Sequence, residues 1–157
     1  MKKTVKLLLL LVVCMVALTG CGSKTVEGEL SDIMQDIYSD IKPEDMPMLD
    51  NFDVLETVPD NVEYYIGTTD IEYEEIYASE PMMTSVAYSV VLVRMKDGAD
   101  IEAAKAKIKE TINPRKWVCV EVPEEDVIVK SKGDLIILIM VENEATREQI
   151  EKGFDNL

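Results

Sequence analysis

An α+β fold is predicted, a single small domain in which a mainly antiparallel sheet of four to five strands carries about three helices. Apolar, β-branched runs fill the second half of the chain, and short turns separate them without regular strand–helix–strand alternation. A chain of 157 residues has the length of one domain. Its composition, with 47% hydrophobic and 30% charged residues, is typical of a globular protein.

The first helix is predicted near residues 28–41, where apolar residues recur at the spacing of one helical face: Leu30, Ile33, Met34, Ile37 and Ile41. Pro43 and Pro47 end this pattern. Residues 42–61 predict an extended loop that lies over the core through Met46, Met48, Leu49, Phe52 and Leu55. The segment VEYYIG, residues 62–67, is predicted to be a short strand closed by glycine.

The middle of the chain predicts an edge strand, a central strand and a helix. The pattern of residues 70–83 is ambiguous and favours a strand or irregular edge before Pro81. Residues 84–96 are β-branched on both faces, which is typical of a central strand. Asp100 is placed to cap a helix over residues 101–112, whose apolar stripe is Ile101, Ala104, Ile108 and Ile112.

The last third predicts a strand, a hairpin and a final helix. The apolar run WVCVEV, residues 117–122, reads as a strand in which Cys119 is a small buried hydrophobe. Residues 126–141 predict a hairpin that turns around Ser131, Lys132 and Gly133, and its second arm, 135–141, must be covered on both sides. Asn143 caps the final helix, with Ile150 and Phe154 facing inward.

The first twenty residues have the layout of a secretory signal peptide. Lys2, Lys3 and Lys6 precede an apolar run over residues 7–18. That run is shorter than the roughly twenty residues that span a bilayer. The predicted organisation is therefore a signal peptide over 1–20, an N-terminus and tether over 21–27, and the folded domain over 28–157.

The end of this leader, Leu18, Thr19, Gly20 and Cys21, resembles the lipobox of bacterial lipoproteins. In that family the cysteine thiol receives a diacylglyceryl group, with acyl chains such as palmitate, and a peptidase then cleaves just before the cysteine. The alternative is an ordinary cysteine that follows a plain signal peptide. With Cys14 removed and Cys21 lipidated, Cys119 would be the remaining thiol, so no intramolecular disulfide could form.

Charge and composition exclude several classes of function. The formal net charge is −15, which argues against a nucleic-acid partner because phosphates require a basic surface. The sequence has no histidine, so the usual general base and the usual zinc ligand are missing. Loss of three lysines with the leader would lower the charge to −18, and attachment would then depend on the two acyl chains.

One cluster of basic residues stands out in this acidic sequence and is a candidate docking surface. Lys105, Lys109, Arg115 and Lys116, with Lys107 between them, lie within twelve residues. They predict either a patch for an acidic partner or anionic ligand, or ordinary helix cations that pair with acids of their own domain.

The acidic residues leave two further alternatives. Glu72, Glu74 and Glu75 form one cluster, and Glu121, Glu124, Glu125 and Asp126 form another. Neither has EF-hand spacing, so a solvated acidic face is favoured and weak calcium binding is the alternative. A pair of carboxylates could also hydrolyse a glycan of the envelope without histidine. The sequence contains no catalytic motif, metal-ligand set or cofactor motif. We therefore predict no catalytic residue, no metal ligand and no cofactor.

Three segments, SEPMMTSVAYSVVLVRMKDGADIEAAKAKIKE, NPRKWVCV and GDLIILIM, together with the lipobox, resemble a family of uncharacterised lipoproteins of Gram-positive anaerobes, a domain of unknown function. The resemblance implies a lipid anchor at the extracytoplasmic face of the cell membrane and brings no activity, cofactor or catalytic residue. The expected function is a membrane-anchored binding or scaffolding module for an envelope protein or small ligand. The alternative is a carboxylate-dependent envelope hydrolase.

Overall fold

The structure, a computed structural model, describes residues 25–42, 55–56, 61–81 and 85–157. These residues form one antiparallel sheet in the order β1-β2-β3-β5-β4. The strands are β1 (Leu55–Glu56), β2 (Tyr73–Ser79), β3 (Tyr88–Met95), β4 (Ile128–Lys132) and β5 (Leu135–Val141). The helices are α1 (Leu30–Tyr38), α2 (Val62–Ile66), α3 (Ile101–Thr111) and α4 (Glu144–Asn156), with a 3-10 turn at Glu124–Asp126. The α+β prediction is confirmed, with four longer strands and the two-residue β1.

Helices cover both faces of the sheet. Along β3, Val91, Val93 and Met95 point to a core that α2, α3 and Trp117 close. The alternate residues of β3 point to a second core, which α1 and α4 close. The predicted central strand and the predicted burial of 135–141 on both sides are confirmed, since β3 lies between β2 and β5 and every residue of β5 is buried.

Side-chain caps begin the two longer helices where the sequence predicts them. The Asp100 carboxylate accepts a hydrogen bond from the Ala103 backbone N–H at 3.0 Å. The Asn143 side chain accepts one from the Thr146 N–H, also at 3.0 Å. Such caps satisfy backbone donors that the first helical turn leaves open, so these starts are set by local sequence.

The segment at 62–67 was predicted as a strand, and this is wrong. It forms the short helix α2, whose buried residues Val62, Tyr65 and Ile66 have helical spacing. Gly67 ends it at φ +79°, and a Cβ there would lie 2.5 Å from the Ile112 backbone nitrogen. A left-handed glycine is a common helix ending, and five residues are too few for alternation and helical periodicity to be told apart.

The predicted strand at 117–122 is also wrong. These residues are irregular, and Val122 donates its N–H to the Pro114 carbonyl at 3.0 Å within the same connection. Cys119 has φ +65°, which an extended strand does not allow, and it is exposed instead of buried. Trp117 and Val122 are nevertheless buried in the core. The apolar pattern of this segment therefore reflects burial of its side chains and not strand structure.

Other boundaries shift. The helix predicted near 28–41 ends at Tyr38, although Ile41 is buried beyond it. The central strand begins at Tyr88, several residues later than predicted. Of the predicted loop over 42–61, residues 43–54 and 57–60, which include Met46, Met48, Leu49 and Phe52, lie outside the described residues. Leu55 lies in the strand β1 and not in a loop.

Candidate functional site

A lysine ammonium is buried at the end of the sheet where β2 finishes and β3 begins. Lys116 lies in the α3–β4 connection, and its Nζ bonds to Glu80 Oε1 and lies 3.2 Å from Ser89 Oγ. The Ser89 hydroxyl donates to the same Glu80 oxygen. The side chains of Lys116 and Glu80 are only 3% and 6% exposed. We call Lys116, Glu80 and Ser89 the buried-lysine cluster.

Three aromatic rings surround the ammonium on its other side. Lys116 Nζ lies 4.4 Å from the ring centroid of Tyr64 and 5.4 Å from those of Tyr65 and Trp117. The two tyrosine rings meet edge to face at 5.1 Å. These distances lie within the range of cation–π attraction, which strengthens where water is excluded. Tyr64 on α2 and Trp117 are therefore held over the lysine by charge as well as by apolar contact.

The electrostatics of the cluster follow from burial. Burial lowers the pKa of Lys116, and the opposing attraction of Glu80 favours the ammonium. Burial also raises the pKa of Tyr64 to about 12, with the Glu80 charge as a second cause, and raises the pKa of Tyr65. One carboxylate and one ammonium thus neutralise each other among phenols that stay neutral.

The buried-lysine cluster connects three segments of the chain, and its geometry does not suit nucleophilic catalysis. A serine–lysine nucleophile needs a neutral lysine that takes the serine proton and a hydroxyl that substrate can reach. Here the Ser89 proton points to Glu80, and Ser89 is fully buried. The three residues instead tie the end of β2, the start of β3 and the α3–β4 connection together.

The other cations predicted to form a docking patch are each engaged within the domain. Lys105 pairs with Glu102 at 2.7 Å, and Arg115 pairs with Glu121 at 2.7 Å. Lys109 Nζ bonds to the backbone carbonyls of Glu124, at 3.0 Å, and Val127. Lys116 faces inward, so it is not part of an exposed patch, which corrects that part of the prediction. Docking by Lys105, Lys109 and Arg115 stays a prediction.

Both acidic clusters face solvent. Glu72, Glu74 and Glu75 are exposed, as are Glu121, Glu124 and Glu125, while Asp126 is half-buried and pairs with Arg147 at 3.0 Å. Within the described part of the chain, no three histidine, cysteine or acidic side chains are grouped as metal ligands. Weak calcium binding stays a prediction.

A second polar contact fixes the segment that precedes α1. Arg94 Nη1 donates to the Val26 carbonyl at 2.8 Å, and Arg94 Nη2 donates to the Gly28 carbonyl at 2.6 Å. Asp134 accepts from the Val26 N–H at 2.8 Å and pairs with Arg94 at 3.1 Å. We call Arg94 and Asp134 the N-terminal clamp. Val26 also packs against the α1/α4 core, so the fixed part of the domain begins before residue 28.

The predicted lipidation residue and its lipobox, Leu18, Thr19, Gly20 and Cys21, lie outside the described residues. Among the helices that the structure describes, none has the length and apolar character of a membrane span. Cys119 is a free, exposed thiol.

Sequence reasoning named Lys116 and missed its partners. Glu80 and Ser89 are 36 and 27 residues away along the chain, and pairing at that distance has no local signal. A weak signal existed in two polar residues, Ser89 inside the apolar run of β3 and Glu80 before Pro81. A polar side chain inside an otherwise buried strand needs a partner.

Comparison with known proteins does not assign the chain to a family. No protein family, curated protein or solved structure matches the chain. The resemblance to uncharacterised lipoproteins therefore stays a prediction.

Proposed function

We propose that this protein is a bacterial lipoprotein, anchored at the extracytoplasmic face of the cell membrane by a diacylglyceryl group on Cys21. Its α+β domain serves as a binding or scaffolding module for an envelope protein or small ligand and not as an enzyme. The support combines the leader, which ends in Leu18, Thr19, Gly20 and Cys21, with the way the domain holds its own N-terminal segment.

The N-terminal clamp is the observation that carries the anchoring part of the proposal. Arg94 and Asp134 bind the backbone at Val26 and Gly28, a few residues after Cys21. Four residue steps separate Cys21 from Thr25, a reach of at most about 14 Å. A domain that begins so soon after a leader is suited to follow a short lipidated N-terminus.

The surface supports binding over hydrolysis. Among the described residues, Glu80 is the buried carboxylate, and Lys116 neutralises it. The paired acids of a glycosidase would need to converge on one cleft, and the two acidic clusters lie on solvent-facing surfaces instead. Tyr64 and Val118 are large apolar side chains with 44% and 58% exposure, and they would contribute apolar contact area to such a binding surface.

Membrane fractionation and palmitate labelling of two cysteine variants test the anchor. We expect Cys21→Ala to stay out of the lipoprotein pathway, so the protein is neither lipidated nor cleaved before residue 21. Labelled palmitate should be incorporated into the native protein and the Cys119→Ala variant, and not into Cys21→Ala. Cys119→Ala is the matched control because Cys119 is an exposed thiol in the domain. Equal label in Cys21→Ala would contradict the proposal.

A further inference from the structure

We infer that the N-terminal clamp orients the domain on its anchor, so that the sheet end carrying Arg94 and Asp134 faces the bilayer and the buried-lysine end faces away. This inference rests on the lipid anchor proposed for Cys21. It adds which surface meets the membrane and which surface is presented to the envelope.

The clamp holds the chain at two points, which prevents it from swivelling about a single bond. Arg94 binds the carbonyls of Val26 and Gly28, while Asp134 binds the Val26 N–H. Arg94 is itself held by Asp134 at 3.1 Å and by Glu75 at 4.0 Å. The side chains of Arg94 and Asp134 are only 12% and 15% exposed. Hydrogen bonds with a charged donor or acceptor are stronger than bonds between neutral groups, so the exit point of the chain is fixed.

Strand register places the clamp and the buried-lysine cluster at opposite ends of the sheet. On β3, Arg94 is paired with Leu135 at the start of β5, and Ser89 is paired with Met140 near its end. Ser89 and Arg94 are five residue steps apart, which corresponds to about 17 Å along an extended strand. Lys116, Glu80 and the aromatic Tyr64 lie at the Ser89 end.

The short tether disfavours the reversed orientation. The clamped residue Val26 lies five residue steps from Cys21, a reach of at most about 18 Å when the chain between them is fully extended. If the Tyr64 end met the bilayer, the clamp would stand at least about 17 Å above it, because the strand between them has that length. The reversed orientation would therefore use the whole reach of the tether, whereas the clamp-down orientation places Val26 near the membrane without that extension.

Lipid-quenching of two reporter sites tests the orientation. The full-length protein is purified from bacterial membranes as a Cys119→Ala variant and placed in phosphatidylcholine/phosphatidylglycerol vesicles that contain a headgroup-quencher lipid. One reporter is Lys96→Cys, next to the clamp end of β3, and the other is Glu63→Cys, next to Tyr64; both native residues are exposed. Each thiol carries the same fluorophore.

We expect at least threefold stronger quenching at position 96 than at position 63. Equal quenching, or stronger quenching at 63, in protein that floats with the vesicles would overturn the orientation and leave the anchor standing. Protein that lacks the lipid and does not float would overturn the anchor, and the orientation with it.

Two further variants assign the effect to the clamp and the short tether. Arg94→Gln, with folding checked by circular dichroism, should reduce the difference between the two sites. Insertion of twelve Gly/Ser residues between Lys24 and Thr25 leaves the clamp residues unchanged and should also reduce it. A difference that persists in the insertion variant would contradict orientation by the tether.

Discussion

At the residue scale, Lys116 and Arg115 are adjacent cations with opposite environments. Arg115 pairs with Glu121 on the surface, where the two side chains are 70% and 55% exposed. Lys116 pairs with Glu80 out of contact with water. A buried charge without its partner is costly, whereas an exposed ion pair adds little. Stability should therefore depend on Lys116 and hardly on Arg115.

Breaking the buried pair from either side should destabilise the domain strongly. We expect Lys116→Met or Glu80→Gln to lower the free energy of unfolding by about 3–5 kcal/mol, because each leaves one buried group without its partner. Urea denaturation followed by circular dichroism measures this loss.

A double-mutant cycle supplies the control. The combined Lys116→Met/Glu80→Gln variant should lose less stability than the sum of the single variants, since no charge is left unpaired. Arg115→Ala should cost less than about 1 kcal/mol. Additive single effects, or equal losses at Arg115 and Lys116, would show that the buried pair does not act as a unit.

The tyrosine pair between α1 and β3 predicts a loss of stability at alkaline pH. Tyr88 donates to the Tyr38 hydroxyl at 2.7 Å. Burial raises the pKa of Tyr38 to about 12 and raises that of Tyr88 as well. Both folded values lie above the unfolded value of about 10. As pH rises past 10, the unfolded chain loses these protons first, so the free energy of unfolding falls.

The Tyr38→Phe variant tests the source of this pH dependence. It should be less stable than the native protein at pH 8 through loss of the hydrogen bond, and its stability should decline less between pH 10 and pH 11.5. Denaturation curves across that range measure the slope. Parallel declines in the two proteins would rule out Tyr38 as a contributor.

At the element scale, the sequence predicts best where a pattern is long or a cap is local. β3, β5, α3 and α4 have long apolar patterns or a capping side chain, and all four elements are found, although β3 begins later than predicted. The two wrong strands, at 62–67 and 117–122, are about six residues long, a length at which tertiary contacts decide the conformation. The partners of Lys116 could not be predicted, because they depend on how β2 and β3 meet the α3–β4 connection.

The α1–α4 contact depends on a glycine. A Cβ at Gly153 would lie 2.2 Å from the Ile37 carbonyl oxygen, a backbone atom that cannot move aside cheaply. We expect Gly153→Ala to lower the free energy of unfolding by about 1–3 kcal/mol through forced separation of the two helices, despite the better helix propensity of alanine. Thermal and urea unfolding measure the change.

The neighbouring Lys152 provides the matched control on the same helix, since it is exposed. Lys152→Ala should change the free energy of unfolding by less than about 0.5 kcal/mol. An unchanged or higher stability in Gly153→Ala would mean that the helices do not approach as closely as the structure has them.

At the scale of the whole molecule, the two ends of the sheet differ in their contacts. The clamp end fixes the segment that follows the predicted lipid anchor, and the opposite end holds Tyr64 over a buried lysine. A local sequence pattern predicts the lipid anchor, whereas the clamp could not be predicted from the sequence, since Arg94 lies 68 residues from Val26. We propose the Tyr64 end as the surface that the domain presents for binding, since the Tyr64 side chain is 44% exposed there.

The most direct test of this account is the mass of the N-terminal peptide of the protein extracted from bacterial membranes. We predict a peptide that begins at Cys21, lacks residues 1–20, and carries the added mass of a diacylglyceryl group on the Cys21 sulfur. An N-terminal peptide with unmodified Cys21, or one that retains the leader, would contradict the lipid anchor and the orientation that depends on it.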